Sequence, residues 1–135
     1  MKLIFRPVTK DDYSFLYYLL EGRPEEESIS HKSMPSFIEH AKFLDSNPYK
    51  FHFVIYDNYN PIGVLYISHK NEVGIHFIKD IEGKEREESF EALVDFILRT
   101  KEKLFFNVSP KHKLLNKILK NKGLLTIQHT YENIH

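Results

Sequence analysis

The sequence contains no cysteine, which excludes several structures and reactions at once. Its 135 residues form no disulfide, no thiolate metal site and no cysteine nucleophile. Three catalytic motifs are also missing: the Gly-x-x-x-x-Gly-Lys phosphate loop, the zinc-binding His-Glu-x-x-His and the serine motif Gly-x-Ser-x-Gly. The eight histidines include no pair at the helical spacing of metal ligands. We therefore predict no metal site.

The sequence also lacks long apolar runs and net charge. No apolar segment approaches the roughly 20 residues that span a membrane, and the short run near the N-terminus is not a signal peptide. Nineteen Lys and Arg residues balance 19 Asp and Glu residues, so no net field favours nucleic acid or an anionic membrane. A hydrophobic content of 41% is typical of a folded protein. We expect one cytoplasmic domain over residues 1–135, with no nucleic-acid or membrane partner.

The apolar pattern predicts ten secondary-structure elements in the order β-α-α-β-β-β-α-β-α-β. Helices are indicated after the N-caps Thr9, Ser36 and Ser109, and a long amphipathic helix over residues 86–100. The middle three strands form hairpins, and a β-α-β-α-β run follows. We therefore expect an α/β (α+β) fold with a mixed, mostly antiparallel central sheet and helices on both faces. The predicted strands are residues 2–6, 51–56, 62–68, 72–78, 104–108 and 124–131.

The strand at residues 72–78 and the turn after it carry the most informative motif. Glu72-x-Gly74-Ile75 lies on this strand, and Gly83-Lys84 follows before the long helix. A strand, a turn and a helix N-terminus in that order are the usual geometry for holding a phosphate-bearing cofactor. This motif resembles the acyl-CoA-binding core of the GCN5-related N-acetyltransferases (the GNAT family). The element order also resembles the GNAT fold.

The resemblance implies an acyl-CoA-dependent N-acetyltransferase that uses acetyl-CoA and a small-molecule primary amine. In the family, backbone groups at the end of this strand pair with pantetheine, and the following turn approaches the pyrophosphate. A later family motif, which here runs from Val108 to Leu124, has an asparagine at the position of His112. The cofactor-binding residues implied by the resemblance are Phe77, Ile78, Lys79, Gly83, Lys84, Arg86 and His112.

The chain departs from the family pattern at several positions. The turn usually reads Gln/Arg-x-x-Gly-x-Gly/Ala, and Glu82, Glu85 and Glu87 stand at the amide and small-residue positions. Glutamates there repel a pyrophosphate, although acids in a first helical turn also stabilise a helix without any ligand. Leu119 replaces the tyrosine that commonly protonates the leaving thiolate. An alternative function is therefore a GNAT-fold binding or regulatory module without cofactor or catalysis. A ligand-binding domain of similar topology that takes no phosphate is a third.

Glu72 and His76 are the catalytic candidates. They lie four residues apart on one predicted strand, so their side chains share a face. In several GNAT enzymes a glutamate near this position serves as general base and deprotonates the substrate ammonium. A histidine has an ordinary pKa near 6.5, which suits the same task. A solvated glutamate at a strand end and a half-buried structural histidine would give the same pattern.

The acceptor side is predicted in the two N-terminal helices and the acidic loop at residues 25–27. The segments at residues 30–40 and 51–55 resemble N-acetyltransferases of nucleotide-linked amino sugars, although an acidic loop beside tyrosines also suits a polyamine or a peptide amine. The predicted sheet has one strand fewer than the usual family sheet, and its last strand contains apolar Leu124-Leu125-Thr126-Ile127. Because apolar strand edges tend to pair, we expect a homodimer.

Overall fold

The fold contains a five-stranded sheet and four α-helices within the residues that the computed structural model describes, 2–27, 33–131 and 133. Single turns of 3-10 helix at Lys10–Asp12 and Glu25–Glu27 lie before and after the first helix. None of the helices in this described part is long and apolar enough to cross a membrane. The elements are β1 (Leu3–Pro7), α1 (Tyr13–Glu21), α2 (Phe37–Asp45), β2 (Tyr49–Asp57), β3 (Asn60–Ser68), β4 (Glu72–Phe77), α3 (Gly83–Arg99), β5 (Phe105–Phe106) and α4 (Lys113–Asn121).

The strands follow the order β1-β2-β3-β4-β5 across the sheet. The first four strands are antiparallel to their neighbours, and β5 is parallel to β4. Asn58 and Asn71 have φ values of 58° and 64° in the two hairpin turns, a left-handed conformation that asparagine tolerates well. The prediction of a mixed, mostly antiparallel sheet is confirmed.

Helices cover both faces of the sheet, as predicted. Val64 faces α1 and α2, whereas its neighbour Leu65 faces α3 and α4, because successive side chains of a strand point to opposite faces. On the α3 side, the Phe77 and Phe90 rings meet edge to face with their centroids 4.9 Å apart. The core on that side is the larger one and joins alternate residues of β4 to two helices. Its other buried members include Ile55, Val73, Ile75, Leu93, Val94, Ile97, Leu115 and Ile118.

The N-terminus of α2 has the predicted capping box. The Ser36 hydroxyl accepts a hydrogen bond from the Glu39 N–H at 3.1 Å, and the Glu39 carboxylate accepts one from the Ser36 N–H at 3.0 Å. At the first helix, the Asp12 carboxylate accepts from the Thr9 N–H at 2.8 Å, and a 3-10 turn precedes α1. Local side-chain chemistry therefore determines where both N-terminal helices begin.

The starts of α3 and α4 differ from the prediction. Helix α3 begins at Gly83, not near residue 86, so Lys84 and Arg86 belong to its first turn. The N-cap of α4 is His112 and not Ser109, because the His112 ring is buried and its Nδ1 accepts from the Leu115 N–H at 3.3 Å. The Ser109 hydroxyl instead accepts from the Lys111 N–H at 3.2 Å within the preceding turn.

The prediction of a sixth strand is wrong. Residues 124–131 form no strand in the described part of the chain, and β5 contains two residues instead of the predicted five. Leu125, Ile127 and Tyr131 are 86%, 74% and 89% exposed. Apolar residues favour an extended chain, but a strand exists only where a neighbouring backbone accepts its hydrogen bonds. No strand of the described sheet does so here.

We predict that the chain forms a homodimer through this exposed apolar segment. Its exposed apolar residues and the free edge beside the short β5 are surfaces to which a second copy can pair. Light scattering should give a mass near twice the 16.1 kDa of one chain. Ile127→Glu should weaken the dimer, whereas the control Thr126→Glu, on an exposed and less apolar neighbour, should weaken it less. A single-chain mass at every concentration would refute the dimer.

Candidate functional site

A cleft opens between β4 and the chain that follows β5. Within the described residues the two strands pair only at Glu72 with Phe105 and at Val73 with Phe106. Beyond that point lies a cavity of about 260 Å³, which we call the β4–β5 cleft. Its walls come from four parts of the chain, and its lining includes Glu27, Tyr49, Tyr66, Glu72, Gly74, Ile75, His76, Asn107, Ser109 and His112.

The backbone of β4 offers hydrogen-bonding groups to this cleft. The Ile78 N–H donates to the Ile62 carbonyl at 2.8 Å, which places residues 78, 76 and 74 in the pairs bonded to β3. Because bonded and non-bonded pairs alternate along an antiparallel ladder, the N–H and C=O groups of Ile75 and Phe77 point the other way. They face the side where β5 has already ended. An extended ligand can pair with such a free strand edge.

An aromatic wall covers the face of β4 nearest α2. The Tyr66 ring lies directly over Gly74, where a Cβ would come within 2.0 Å of the ring carbon Cζ. Tyr49 stacks on Tyr66 with ring centroids 4.2 Å apart and an interplanar angle of 20°. The Tyr66 hydroxyl lies 3.3 Å from Nε2 of His76. Only glycine at position 74 lets the tyrosine ring approach the strand so closely.

His76 lies inside the cleft as a neutral side chain. It is 8% exposed, and its Nδ1 has no hydrogen-bond partner among the described residues. Burial holds the pKa of His76 well below 6.5, and the positive charge of Arg23 lowers it further. A base whose conjugate acid is so disfavoured accepts a proton poorly near neutral pH.

Glu72 lies at the outer end of the same cleft. Its carboxylate accepts a hydrogen bond from the Asn107 side-chain amide and another from the Ser68 hydroxyl at 3.4 Å. Within the described residues no lysine, arginine or histidine forms an ion pair with it. The cleft therefore presents a positioned carboxylate, without a cationic partner, beside two tyrosine rings. Such a surface attracts an ammonium group by charge and by cation–π contact.

A buried ion pair closes the inner end of the cleft. Nη2 of Arg86 lies 2.6 Å from Oε2 of Glu27, and the two side chains are 13% and 5% exposed. Nη1 of Arg86 donates to the carbonyl oxygens of Ile78 at 2.9 Å and Ile81 at 3.1 Å. The backbone groups of Ile78 and the guanidinium of Arg86 are thus already engaged within the protein.

His112 completes this inner end. Its Nδ1 accepts the Leu115 N–H, so in the neutral ring we assign the proton to Nε2. That nitrogen is buried without a hydrogen-bond partner among the described residues and lies 3.9 Å from Oε1 of Glu27. Burial lowers the pKa of His112, and the Glu27 carboxylate opposes part of this shift. The His112 ring also meets the Phe90 ring edge to face at 5.3 Å.

The N-terminus of α3 lies outside the cleft and is open to solvent. Its N-cap Glu82 makes no side-chain capping bond, and Gly83 adopts φ +56°, a conformation that favours glycine. The first N–H groups of a helix have no partner within the helix, and the helix dipole favours an anion there. Gly83, Lys84 and Glu85 are all exposed. This geometry fits a phosphate group, with Lys84 as an available cation.

Comparison with solved structures establishes the class of fold. No described protein family and no curated protein matches the sequence. Among solved structures, the spermidine N-acetyltransferase from Vibrio cholerae in complex with CoA and spermine is 18% identical, with a TM-score of 0.76 over 98% of this chain and 86% of that chain. A domain from Methanocaldococcus jannaschii DSM 2661 is 19% identical, with a TM-score of 0.73 over 98% and 94%.

A third similar structure is AAC(6')-Iy in complex with the bisubstrate analogue CoA-S-monomethyl-acetylneamine. It is 12% identical, with a TM-score of 0.63 over 100% of this chain and 99% of that chain. The chain therefore has the fold of the GNAT acetyltransferases, which confirms the expected fold. At these identities the fold is the property that is shared.

The sequence motifs and the structure identify overlapping sets of residues. The structure brings Glu72, His76 and His112 into one cavity. The other predicted residues do not line it: Phe77, Ile78, Lys79, Gly83, Lys84 and Arg86. The Phe77 backbone faces the free edge of β4.

Tyr66 was not predicted from the sequence. The one feature that could have indicated it is that its strand is next to the strand of Gly74, with which it pairs. Glu27 was placed in an acidic loop on the acceptor side, but not beside Arg86 and His112. No motif or spacing in the sequence indicates a role for Asn107 or Tyr49 in the site.

Proposed function

We propose that this protein is an acyl-CoA-dependent N-acetyltransferase that moves an acetyl group from acetyl-CoA to a primary amine of a small molecule. The observation that carries the proposal is the β4–β5 cleft, where the strands separate and the backbone of Ile75 and Phe77 faces the opening. Two solved structures of the same fold contain CoA or a CoA-linked bisubstrate analogue as a bound ligand. A free strand edge followed by an open helix N-terminus suits that ligand chemically.

The residues that would hold the donor lie on two elements. The edge of β4 at Ile75 and Phe77 would pair with the amides of the pantetheine arm. The start of α3, with Gly83 and Lys84, would receive the pyrophosphate. Glu85 weakens this site, because a like-charge pair at about 4 Å costs roughly 1 kcal/mol in water and 4 at an effective dielectric constant of 20. Since Glu85 is exposed, its side chain can turn into solvent and reduce this cost.

The chemistry of the site depends on Glu72. The donor supplies an activated acetyl thioester, and the acceptor arrives as an ammonium ion that must lose a proton before it attacks. Glu72 takes that proton directly or through a water molecule, while Asn107 and Ser68 hold its carboxylate in place. The Tyr66 hydroxyl, supported by neutral His76, can orient the amine. Leu119 is buried in the core, so we assign no general acid to α4. The amine then forms the C–N bond, the C–S bond of the thioester breaks, and CoA leaves as its thiolate.

The acceptor is a small cation in this proposal. Glu72 provides the negative charge, and Tyr49 and Tyr66 provide aromatic faces in the same cavity. Amino sugars and polyamines both carry suitable primary amines. The spermine bound in the Vibrio cholerae structure is a polyamine.

A binding or regulatory module is the second candidate. The Glu27–Arg86 ion pair favours it, because this pair stands between the cleft and the N-terminus of α3. If the pair never opens, the two proposed parts of the donor site remain separate, and the protein binds no acyl-CoA.

Binding of acetyl-CoA separates the two candidates. We expect acetyl-CoA to raise the melting temperature, because a ligand that binds the native state alone stabilises it by about 2.7 kcal/mol at 100 times Kd. Glu85→Gln should lower Kd by removing repulsion, whereas the control Glu88→Gln, also exposed on α3, should change Kd less. A thermal-shift titration with acetyl-CoA and free CoA measures both effects. An unchanged melting temperature at millimolar acetyl-CoA would disprove the enzyme proposal.

A further inference from the structure

Glu27 separates two parts of the molecule that a single acyl-CoA would have to join. Its carboxylate lines the β4–β5 cleft together with His76 and His112. Arg86, its ion-pair partner, belongs to the first turn of α3, which contributes no residue to the cleft lining. A ligand that extends from Ile75 to the start of α3 therefore meets the Glu27 side chain on its way.

The surroundings of Glu27 look like an anion site already filled by the protein's own carboxylate. Arg86 donates to it at 2.6 Å, and the protonated Nε2 of His112 lies 3.9 Å from its other oxygen, too far for a good hydrogen bond. This nitrogen is buried and has no hydrogen-bond partner among the described residues. One donor of the protein therefore bonds to this carboxylate, and a second lies near it without a hydrogen-bond partner among the described residues.

Glu27 is held by a short element that is not part of the sheet. It is the last residue of the 3-10 turn Glu25–Glu27, whose Glu27 N–H donates to the Pro24 carbonyl at 3.0 Å. Arg86, by contrast, is fixed by two further bonds to the carbonyls of Ile78 and Ile81. If the pair separates, Glu27 is the partner that leaves and Arg86 is the partner that stays.

We propose that the Glu27 carboxylate is an internal competitor of the acyl donor: it occupies the place beside Arg86 and His112 in the free protein and is displaced when acyl-CoA binds. This inference rests on the proposed function. Once Glu27 leaves, Arg86 and His112 can donate to oxygen atoms of the donor. The same displacement moves Glu27, which lines the cleft, together with its 3-10 turn Glu25–Glu27. Donor binding is thereby coupled to the shape of the acceptor side.

The substitution Glu27→Gln tests this competition. It keeps the size of the side chain and removes the charge that holds it at Arg86, so free CoA should bind at least tenfold more tightly by calorimetric titration. The variant without ligand should melt at a lower temperature than the wild type, because Arg86 then lacks its buried counter-charge. Glu26→Gln is the matched control: Glu26 is exposed in the same 3-10 turn and forms no ion pair with Arg86, so its replacement should change both quantities less.

Hydrogen exchange of the wild-type protein gives a second readout that does not depend on a variant folding. Free CoA should speed exchange of the Glu27 amide, whose bond to Pro24 breaks on displacement, while it protects the amides of Ile75 and Phe77. Slower exchange at Glu27, or equal Kd values for the Glu27 and Glu26 variants, would overturn the inference and leave the proposed function standing. Absence of CoA binding to the wild type and both variants would overturn both.

Discussion

Glu72→Gln should slow acetyl transfer by about 10²- to 10⁴-fold near pH 7, which is the usual cost of losing a general base. The amide keeps the shape of the carboxylate and its contact with Asn107, but it cannot accept the proton of the ammonium. Raising the pH should restore much of the rate, because the amine then arrives already neutral. The measurement is the pH profile of thiol release from acetyl-CoA in the presence of an acceptor amine.

His76→Ala is the comparison that tests this assignment, and it should cost less than about tenfold if general-base function resides elsewhere. His76 is buried and neutral, so its contribution is to hold the Tyr66 hydroxyl, and His76→Gln should recover part of the loss. If Glu72→Gln keeps wild-type activity while His76→Ala abolishes it, the two roles are reversed. If neither substitution changes the rate, the base is water or lies outside β4.

The protein should lose stability steeply as the pH falls from about 7 toward 4. Burial is the largest cause of the lowered pKa values of His40, His52, His76 and His112, and the pKa of His52 falls to about 4. Below pH 6.5, the ordinary pKa of histidine, these side chains bind protons in the unfolded chain but not in the native state. Acid therefore favours unfolding. Each strongly shifted histidine contributes up to about 1.4 kcal/mol per pH unit in that window.

Denaturant unfolding across the pH range from about 7.5 to 5 measures this loss as a change in the free energy of unfolding. His76→Gln should flatten the pH dependence, because its side chain does not titrate. The control His129→Gln, which replaces an exposed residue of the C-terminal segment, should leave the slope as it is. Equal slopes for the His76 variant and the wild type would show that the buried ring is not the source of the acid sensitivity.

Some features of the fold could be predicted from short stretches of sequence. The Ser36 and Glu39 capping box lies within four residues, and the turns at Asn58 and Asn71 need only a residue that accepts positive φ. Val64 and Leu65 are buried on opposite faces of the sheet, which follows from the two-residue period of a strand. Each of these signals is local, so no knowledge of the rest of the chain was required.

Only part of the candidate site could be predicted from the sequence. Glu72 and His76 were predictable because four residues of strand place them on one face. The acidic loop of Glu27 was predicted on the acceptor side, but its buried ion pair was not, since its partner Arg86 is 59 residues away. The role of Gly74 was hidden too, because it depends on the Tyr66 ring of the neighbouring strand.

The amino-acid sequence by itself determined the order of the elements from β1 to α4, both core faces and the strand that carries Glu72, because periodicity, caps and turn residues act over a few positions. Tertiary structure alone decided that residues 124–131 find no strand partner, that His112 caps α4 and that Glu27 is buried against Arg86. These outcomes depend on which distant groups satisfy a hydrogen bond or a charge once water is removed. Burial and partnership are properties of the assembled fold, and no local pattern encodes them.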